Sequence, residues 1–317
     1  MVNLRKLMEK INTQEPLQGA LRFDEPMSLH TTFKVGGPAD IWVRPEGPSF
    51  PRYAACLLRT ARTEGVPVFI LGGGANLVVS DQGIRGIVLD TTGWSGWQID
   101  ESSVLLYAGT TVDKAVEVCA DHEREALAFL AGMPGSIGGA IWMNARCYNL
   151  SISDVLMETW ILNEQFEQVW VPFRPEDFEY KISPFQHRQV LILGGRFKTR
   201  PGDRSALVAE MQKYRQDRET KGHYTLPSAG SAFKNNHAFG KPTGKIIDEL
   251  GLRGLSLGGA KVADWHGNII VNTGTATAQD IYLLTEILKK RVKEALGYDL
   301  ECEILFVGDW SQDGHIS

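Results

Sequence analysis

The feature that most constrains this sequence is a glycine-rich stretch at residues 132–144, which has four glycines and one proline and continues as an apolar run. Glycine permits positive φ angles and lets another group approach the backbone where a Cβ would otherwise stand. Successive backbone N–H groups in such a turn can form a concave site for an anion. The stretch therefore predicts either a loop that faces a ligand or a tight connection between two buried strands.

A second glycine-rich stretch, at residues 71–83, favours the ligand-facing alternative. It follows an apolar run at residues 66–71, which predicts a buried strand, and it begins with three consecutive glycines before Asn76. Its spacing does not match the dinucleotide fingerprint G-x-G-x-x-G, and residues 240–246 do not match the phosphate-loop pattern. The two loops together predict a less common type of cofactor-binding fold.

Composition and charge exclude several classes of protein. The 317 residues suffice for two or three compact units, and 43% hydrophobic and 22% charged residues are typical of a globular protein. A net charge of −5, with no long basic run, argues against nucleic-acid partners. The four cysteines are scattered, which disfavours a zinc site or a disulfide framework. No apolar run is long enough to cross a membrane, and the N-terminus lacks a signal-peptide pattern, so we expect a cytoplasmic protein without membrane partners.

Apolar periodicity predicts the main elements. Helices are expected at residues 112–123 and 204–221, and a further helix after Thr277 to about Leu296, with Asp280 in its first turn. A hairpin is expected at residues 31–44, around a Gly-Gly-Pro turn, and a closing strand at residues 300–307. The segment at 226–236 predicts a small-residue loop that carries a hydroxyl, an ammonium and two amides.

Several separated segments resemble the UDP-N-acetylenolpyruvoylglucosamine reductase family, flavoenzymes whose FAD domain is of the vanillyl-alcohol-oxidase type. The matching segments for the flavin are residues 32–40, 71–83 and 132–144, and those for substrate and chemistry are 227–235 and 300–308. The resemblance implies an α+β fold, in which a two-lobed FAD-binding domain precedes an α+β substrate-binding domain. We assign residues 1–92 to the first lobe, 93–203 to the second, and 204–317 to the substrate-binding domain.

The resemblance also implies the activity and the cofactors. NADPH would reduce the bound FAD and leave, and a UDP-sugar enolpyruvyl ether would then be reduced to UDP-N-acetylmuramate for peptidoglycan synthesis. The two glycine-rich loops would hold the FAD. The cofactor-binding residues implied are Leu71, Gly72, Gly73, Gly74, Ala75, Asn76, Leu77, Gly132, Pro134, Gly135, Ser136, Gly138, Gly139 and Ala140.

Reduction of an enolpyruvyl ether requires a hydride at the methylene carbon, a proton at the neighbouring carbon, and stabilisation of an enolate between the two steps. By resemblance Ser231 is the proton donor and Glu303 assists at the enolate. Strand periodicity alone does not separate Glu303 from Glu301, and a loop hydroxyl such as Ser231 often bonds only its own backbone. Tyr180, Lys234 and Asn235 match substrate-binding positions of the family.

The sequence departs from the family pattern at Lys181, where the family has its catalytic arginine. A lysine offers a point charge instead of a planar fork that grips a carboxylate at two points. Arg146, just after the second glycine-rich stretch, is hypothesised to supply part of the missing guanidinium contact. The competing class is an FAD-dependent carbohydrate oxidase on the same scaffold, which could attach its flavin through Cys147 or His30. A catalytically silent sugar-nucleotide-binding module is a third alternative.

Overall fold

The computed structural model describes residues 2–311, which separate into two compact units, each assembled from three segments of the chain. The first unit comprises residues 2–23, 41–73 and 86–216, and the second comprises 24–40, 74–85 and 217–311. The helices are α1 (Leu4–Gln14), α2 (Phe50–Thr63), α3 (Val112–Asp121), α4 (Ile137–Trp142), α5 (Arg204–Thr220), α6 (Thr243–Glu249) and α7 (Ala278–Leu296).

The strands are short in most cases. In chain order they are β1 (Gly19–Pro26), β2 (Pro38–Pro45), β3 (Val68–Leu71), β4 (Leu77–Val79), β5 (Ile84–Asp90), β6 (Trp97–Ile99), β7 (Ser103–Tyr107), β8 (Arg124–Glu125), β9 (Arg146–Cys147), β10 (Leu150–Ser151), β11 (Leu156–Leu162), β12 (Gln168–Pro172), β13 (Leu191–Lys198), β14 (Arg200–Pro201), β15 (Ser256–Leu257), β16 (Ala260–Val262), β17 (Ile270–Asn272) and β18 (Leu305–Val307).

Two larger sheets lie mainly in the first unit. One has the order β1-β2-β5-β3, with β3 parallel to β5, and the other is the antiparallel sheet β12-β11-β13-β7-β6. Helix α2 buries Phe50, Ala54, Leu57 and Ala61, residues spaced by three or four, which places one apolar face against the core. The first glycine-rich loop follows β3, and the second lies between α3 and β9.

The second unit combines the three-stranded antiparallel sheet β15-β16-β17 with helix α7. The helix begins with a capping box, in which Thr277 accepts from the Asp280 N–H and Asp280 accepts from the Thr277 N–H. Its buried side chains, Ile281, Leu284 and Leu288, repeat at helical spacing and join the core of this unit. In the same unit β4 pairs with β18 in parallel, with Leu77 opposite Leu305.

The helices predicted at 112–123, at 204–221 and after Thr277 are confirmed as α3, α5 and α7. The predicted hairpin at 31–44 is wrong, because only β2 is a strand there. Gly36 and Gly37 instead accept hydrogen bonds from the N–H groups of Ser28 and Met27, and the Gly37 N–H donates to Ser80. The closing strand is shorter than predicted, because residues 301–303 pair with the loop at 232–234.

Half of the second glycine-rich stretch is helical, which neither sequence alternative anticipated. The side chain of Ser136 caps α4 by accepting from the Gly139 N–H, which allows a helix to begin directly after the Pro134-Gly135 turn. The three-part division at residues 92 and 203 remains a prediction, since the compact units are discontinuous in sequence. Within residues 2–311, none of the helices has the length and apolar character that a membrane span requires.

Candidate active site

The two glycine-rich loops contact each other within the first unit. A Cβ on Gly73 would lie 2.7 Å from the Gly135 Cα, and a Cβ on Gly72 would lie 2.6 Å from the Ser136 Oγ. The Gly73 N–H donates to the Ser136 Oγ at 3.3 Å. The absence of side chains at Gly72 and Gly73 is therefore required by the packing of one loop on the other.

Within α4, two adjacent glycines have different surroundings. A Cβ on Gly138 would lie 2.9 Å from the Ala108 Cβ, so this glycine is required by packing inside the protein. A Cβ on Gly139 would meet only the Ser136 Oγ, at an ordinary contact distance of 3.6 Å, among residues 2–311. The packing of the described chain therefore leaves space at Gly139 that a bound group could occupy.

The remainder of the first loop belongs to the second unit. Gly74 has a φ of +62°, and a Cβ there would overlap the carbonyl oxygen of His30. The side-chain Nδ2 of Asn76 donates to the backbone carbonyl of Glu303 at 2.9 Å, and the Asn76 carbonyl accepts from the Leu305 N–H at 3.0 Å. Asn76 therefore connects this loop, through hydrogen bonds, to the segment that contains Glu303.

The uncharged glycine-rich loops of the first unit leave space for part of a dinucleotide cofactor at Gly139. Residues 71–73 and 132–140 contain no charged side chain. Several of their N–H groups already donate within the protein, those of Gly73 and Gly139 to the Ser136 Oγ and that of Gly138 to the Ala108 carbonyl. Neutral N–H groups in glycine-rich turns bind phosphate in many proteins, and the space at Gly139 admits such a group close to the backbone. The residues present therefore fit FAD, which the family resemblance implies.

Tyr180 and Lys181 occupy the tip of a two-residue turn in the first unit. Glu179 and Ile182 exchange backbone hydrogen bonds at 3.1 and 3.2 Å, and Lys181 has a φ of +63°. Two bonds connect this turn to the end of α4. Asn144 Nδ2 donates to the Glu179 carbonyl at 2.8 Å, and Ser183 Oγ donates to the Trp142 carbonyl at 2.7 Å. The structure thus places the turn that carries Tyr180 and Lys181 next to the end of the second glycine-rich stretch, residues 132–144.

Arg146 and Cys147 form strand β9, which pairs with β10 in a tight hairpin. The Arg146 Nη1 donates to the Ser151 Oγ at 3.2 Å, so its guanidinium has a local partner, and its assistance to Lys181 remains a hypothesis. His30, in the second unit, has its Nε2 at 2.9 Å from the Glu25 Oε1.

Ser231 and Glu303 lie on neighbouring segments of the second unit. The Glu303 N–H donates to the carbonyl of Ala232 at 2.8 Å, and the Lys234 N–H donates to the carbonyl of Glu301 at 2.9 Å. Lys234 Nζ also lies 2.5 Å from Glu301 Oε1, and the Glu301 side chain is 71% exposed. Glu301 is therefore exposed to solvent and paired with Lys234, whereas Glu303 is half-buried beside the Ser231 segment.

A pocket of about 190 Å³ adjoins Ser231 in the second unit. Its lining consists of Ser231, Asn235, Pro242, Gly244, Lys245, Asp248, His266, Gly267 and Asn268. Asn235 is exposed, and its Oδ1 accepts from the Thr243 N–H at 2.9 Å, so this amide also orders the start of α6. Burial lowers the pKa of His266, and its Nδ1 accepts from the Asn268 N–H at 3.1 Å.

His266 and Asn268 were not identified from the sequence. The available signal was the group of polar side chains at Asp264, His266 and Asn268, between the short strands at residues 260–262 and 270–272. Among the predicted site residues, Ser231, Glu303, Lys234 and Asn235 belong to the second unit, and Tyr180 and Lys181 belong to the first.

Comparison with known proteins defines the class. Residues 54–164 match the FAD binding domain family, and residues 222–307 match the C-terminal domain of UDP-N-acetylenolpyruvoylglucosamine reductase. These matches agree with the predicted fold class, an α+β protein with an FAD-binding domain followed by a C-terminal domain.

Full-length relatives define the family. A UDP-N-acetylenolpyruvoylglucosamine reductase of Treponema denticola is 38% identical, with 94% of this chain and 97% of the relative covered. One of Borreliella burgdorferi is 35% identical, with 96% and 98% covered. The crystal structure of UDP-N-acetylenolpyruvylglucosamine reductase (MurB) from Thermus caldophilus has a TM-score of 0.73 and 28% identity, with 92% of this chain and 99% of that chain covered. The chain belongs to the UDP-N-acetylenolpyruvoylglucosamine reductase family.

Proposed function

We propose that the protein is an FAD-containing, NADPH-dependent reductase that converts UDP-N-acetylglucosamine enolpyruvate into UDP-N-acetylmuramate for peptidoglycan precursor synthesis. The observation that carries the proposal is 38% identity to a family member over 94% of this chain. The oxidase alternative has no comparable support, because the C-terminal domain match belongs to the reductase.

The reaction adds two electrons and two hydrogens to a carbon–carbon double bond. The methylene carbon gains a hydride, the neighbouring carbon gains a proton, and NADPH becomes NADP⁺. FAD, when bound, supplies the hydride-transfer chemistry that links the two substrates. The uncharged glycine-rich loops at residues 71–77 and 132–140 would hold it, with the space at Gly139 admitting part of the cofactor close to the backbone.

Ser231 supplies the proton. Its hydroxyl donates to the carbon next to the reduced methylene, and the resulting alkoxide regains a proton from solvent. A serine is a weak acid in water, but an enolate carbon is strongly basic, so position contributes more than pKa. The support for this role is the half-buried position of Ser231 beside a pocket and next to the segment of Glu303.

The remaining groups act on the substrate carboxylate and on the UDP-sugar. Glu303 assists at the enolate, and Lys181 provides a positive charge for the carboxylate oxygens. Tyr180, Lys234 and Asn235 bind the rest of the substrate. A net charge of −5 supports small-molecule substrates rather than nucleic acid. A cytoplasmic location and a part in cell shape and division belong to the same proposal.

Anaerobic half-reactions test this function. NADPH should bleach the flavin of the wild-type protein and of Ser231→Ala at similar rates. The enolpyruvyl substrate should then restore the flavin colour in the wild type and act a hundredfold or more slowly in the variant, roughly the contribution of a positioned general acid. Equal slowing of both half-reactions would show that Ser231 has only a structural role.

A further inference from the structure

The segment that carries Ser231 is not part of a β-sheet, so its position depends on hydrogen bonds to specific neighbouring residues. Residues 227–236 contain neither helix nor named strand, yet Ala232 and Phe233 are fully buried. On the N-terminal side Gly230 has a φ of +72°, and no atom of residues 2–311 lies within 4 Å of a Cβ built there. Packing at Gly230 therefore does little to fix the serine.

One neighbour is the chain at 301–303. Its backbone exchanges hydrogen bonds with Ala232 and Lys234, and Phe233 pairs with Cys302. These contacts hold residues 232–234, which follow Ser231 in the chain.

A second neighbour is Asn268, which makes three hydrogen bonds to the two residues that follow Ser231. Its carbonyl accepts from the Ala232 N–H at 2.8 Å, its Oδ1 accepts from the Phe233 N–H at 3.0 Å, and its Nδ2 donates to the Phe233 carbonyl at 2.8 Å. Asn268 is 3% exposed, and Ser231 pairs with Ile269 directly after it.

The side-chain amide of Asn268 is chemically suited to bond both backbone groups of Phe233. Its oxygen accepts and its nitrogen donates, so it satisfies both backbone groups of a buried residue. A carboxylate of the same shape would keep the acceptor but lose the donor, and would leave the Phe233 carbonyl facing a negative charge. Buried polar groups left unpaired are costly, so the segment would shift rather than keep its position.

We propose that Asn268 is the positioning residue for the Ser231 hydroxyl, an inference that rests on the proposed function. The Asn268 side chain does not donate the proton; it fixes the backbone that carries the Ser231 hydroxyl, beside the pocket that both residues line. A displacement of about 1 Å at a reacting group can slow a reaction roughly a hundredfold.

Asn272 provides a matched control on strand β17. It is 5% exposed, its Nδ2 donates to the backbone carbonyl of Phe33 at 3.0 Å, and its Oδ1 accepts from the N–H groups of Gly274 and Ala276. Asn268→Asp and Asn272→Asp thus each remove one side-chain donor to a phenylalanine carbonyl, but only the Asn268 side chain bonds to the Ser231 segment. Asn272 reaches that segment only through its backbone N–H, which donates to the Pro227 carbonyl at 2.9 Å and is kept in the variant.

The experiment measures both half-reactions anaerobically by stopped-flow absorbance. Both variants should bind flavin and be reduced by NADPH within about threefold of the wild type. Reoxidation by UDP-N-acetylglucosamine enolpyruvate should slow by about 10–100-fold in Asn268→Asp and by less than threefold in Asn272→Asp. If Asn268→Asp does not accumulate as folded protein, the smaller Asn268→Ser serves in its place.

A double variant separates positioning from general loss of stability. If Asn268 acts through Ser231, Ser231→Ala with Asn268→Asp should be as slow as Ser231→Ala alone, within about threefold. Multiplied effects, or equal slowing by Asn268→Asp and Asn272→Asp, would overturn the inference and leave the proposed function intact. A wild-type flavin that NADPH reduces but the enolpyruvyl substrate does not reoxidise would overturn both.

Discussion

The side-chain amide of Asn76 donates to the backbone carbonyl of Glu303 over 2.9 Å, although 227 residues separate the two in sequence. The Glu303 N–H donates in turn to Ala232, next to Ser231. Both backbone groups of Glu303 are therefore fixed, one by the glycine-rich loop and one by the serine segment. Glu301, two residues earlier, instead forms an ion pair with Lys234 at the surface.

This arrangement predicts different outcomes at the two glutamates. Glu303→Gln should slow reoxidation of the reduced flavin by the enolpyruvyl substrate about a hundredfold if Glu303 acts at the enolate, because an amide cannot exchange a proton there. Glu301→Gln, the matched control, should cost less than about fivefold, since exposed ion pairs contribute little. Stopped-flow measurement of both variants tests the assignment, and a larger effect at Glu301 would reverse it.

Gly139 tests the cofactor site without disturbing the fold. Gly139→Ala should keep or slightly raise the thermal stability of the flavin-free protein, because alanine is favoured over glycine in a helix by about 0.5–1 kcal/mol and has space here. The same methyl group should lower the flavin content if FAD contacts the backbone at this point. Absorbance of the purified protein measures that content, and a full flavin complement would show that the cofactor does not approach Gly139.

Substitutions at Lys181 test the departure from the family pattern. Because its φ is +63°, asparagine is a compatible replacement that removes the charge with little backbone strain. Lys181→Asn should slow the substrate half-reaction about tenfold or more, with NADPH reduction of the flavin unchanged. Lys181→Arg keeps the charge and should retain most activity, best of all when Arg146 is replaced by glycine. An active Lys181→Asn would remove Lys181 from the site.

The acid stability of the protein depends in part on His223. Burial, with nearby Arg218 contributing, lowers the pKa of His223 from 6.5 to about 4. The unfolded chain therefore binds more protons than the folded one between these values, and stability is lost as the pH falls through this window. Because His223 is only partly buried and solvent screens its charge, the free energy of unfolding of the wild type should fall by about 1 kcal/mol more than that of His223→Gln between pH 7 and pH 5. Parallel curves from urea titrations would contradict this.

The sequence predicted the helices well because their apolar residues repeat at helical spacing, as in α3 and α7. It predicted the hairpin at 31–44 wrongly because Gly36 and Gly37 bond to Met27, Ser28 and Ser80, and no local pattern reveals such partners. The helical half of the second glycine-rich stretch was missed for a related reason, since two glycines lower helix propensity and the cap at Ser136 decides the outcome.

The candidate site, like the fold, was predicted only in part from the sequence. Ser231 and Glu303 were predicted as site residues by resemblance, and the structure adds the hydrogen bonds that bring their segments together. Asn268 could not be singled out, because a buried asparagine has no periodicity and its role depends on a backbone 35 residues away. Lone polar residues between apolar strands become interpretable only when their partners are known.

The most direct test of the proposed function is the stoichiometry of NADPH consumption. Under anaerobic conditions the protein should consume one NADPH for each UDP-N-acetylglucosamine enolpyruvate added and form an equal amount of UDP-N-acetylmuramate, measured by absorbance and mass spectrometry. In air, without the sugar nucleotide, it should consume NADPH far more slowly. NADPH consumption that needs oxygen, forms hydrogen peroxide and does not respond to the enolpyruvyl substrate would contradict the assignment as a reductase.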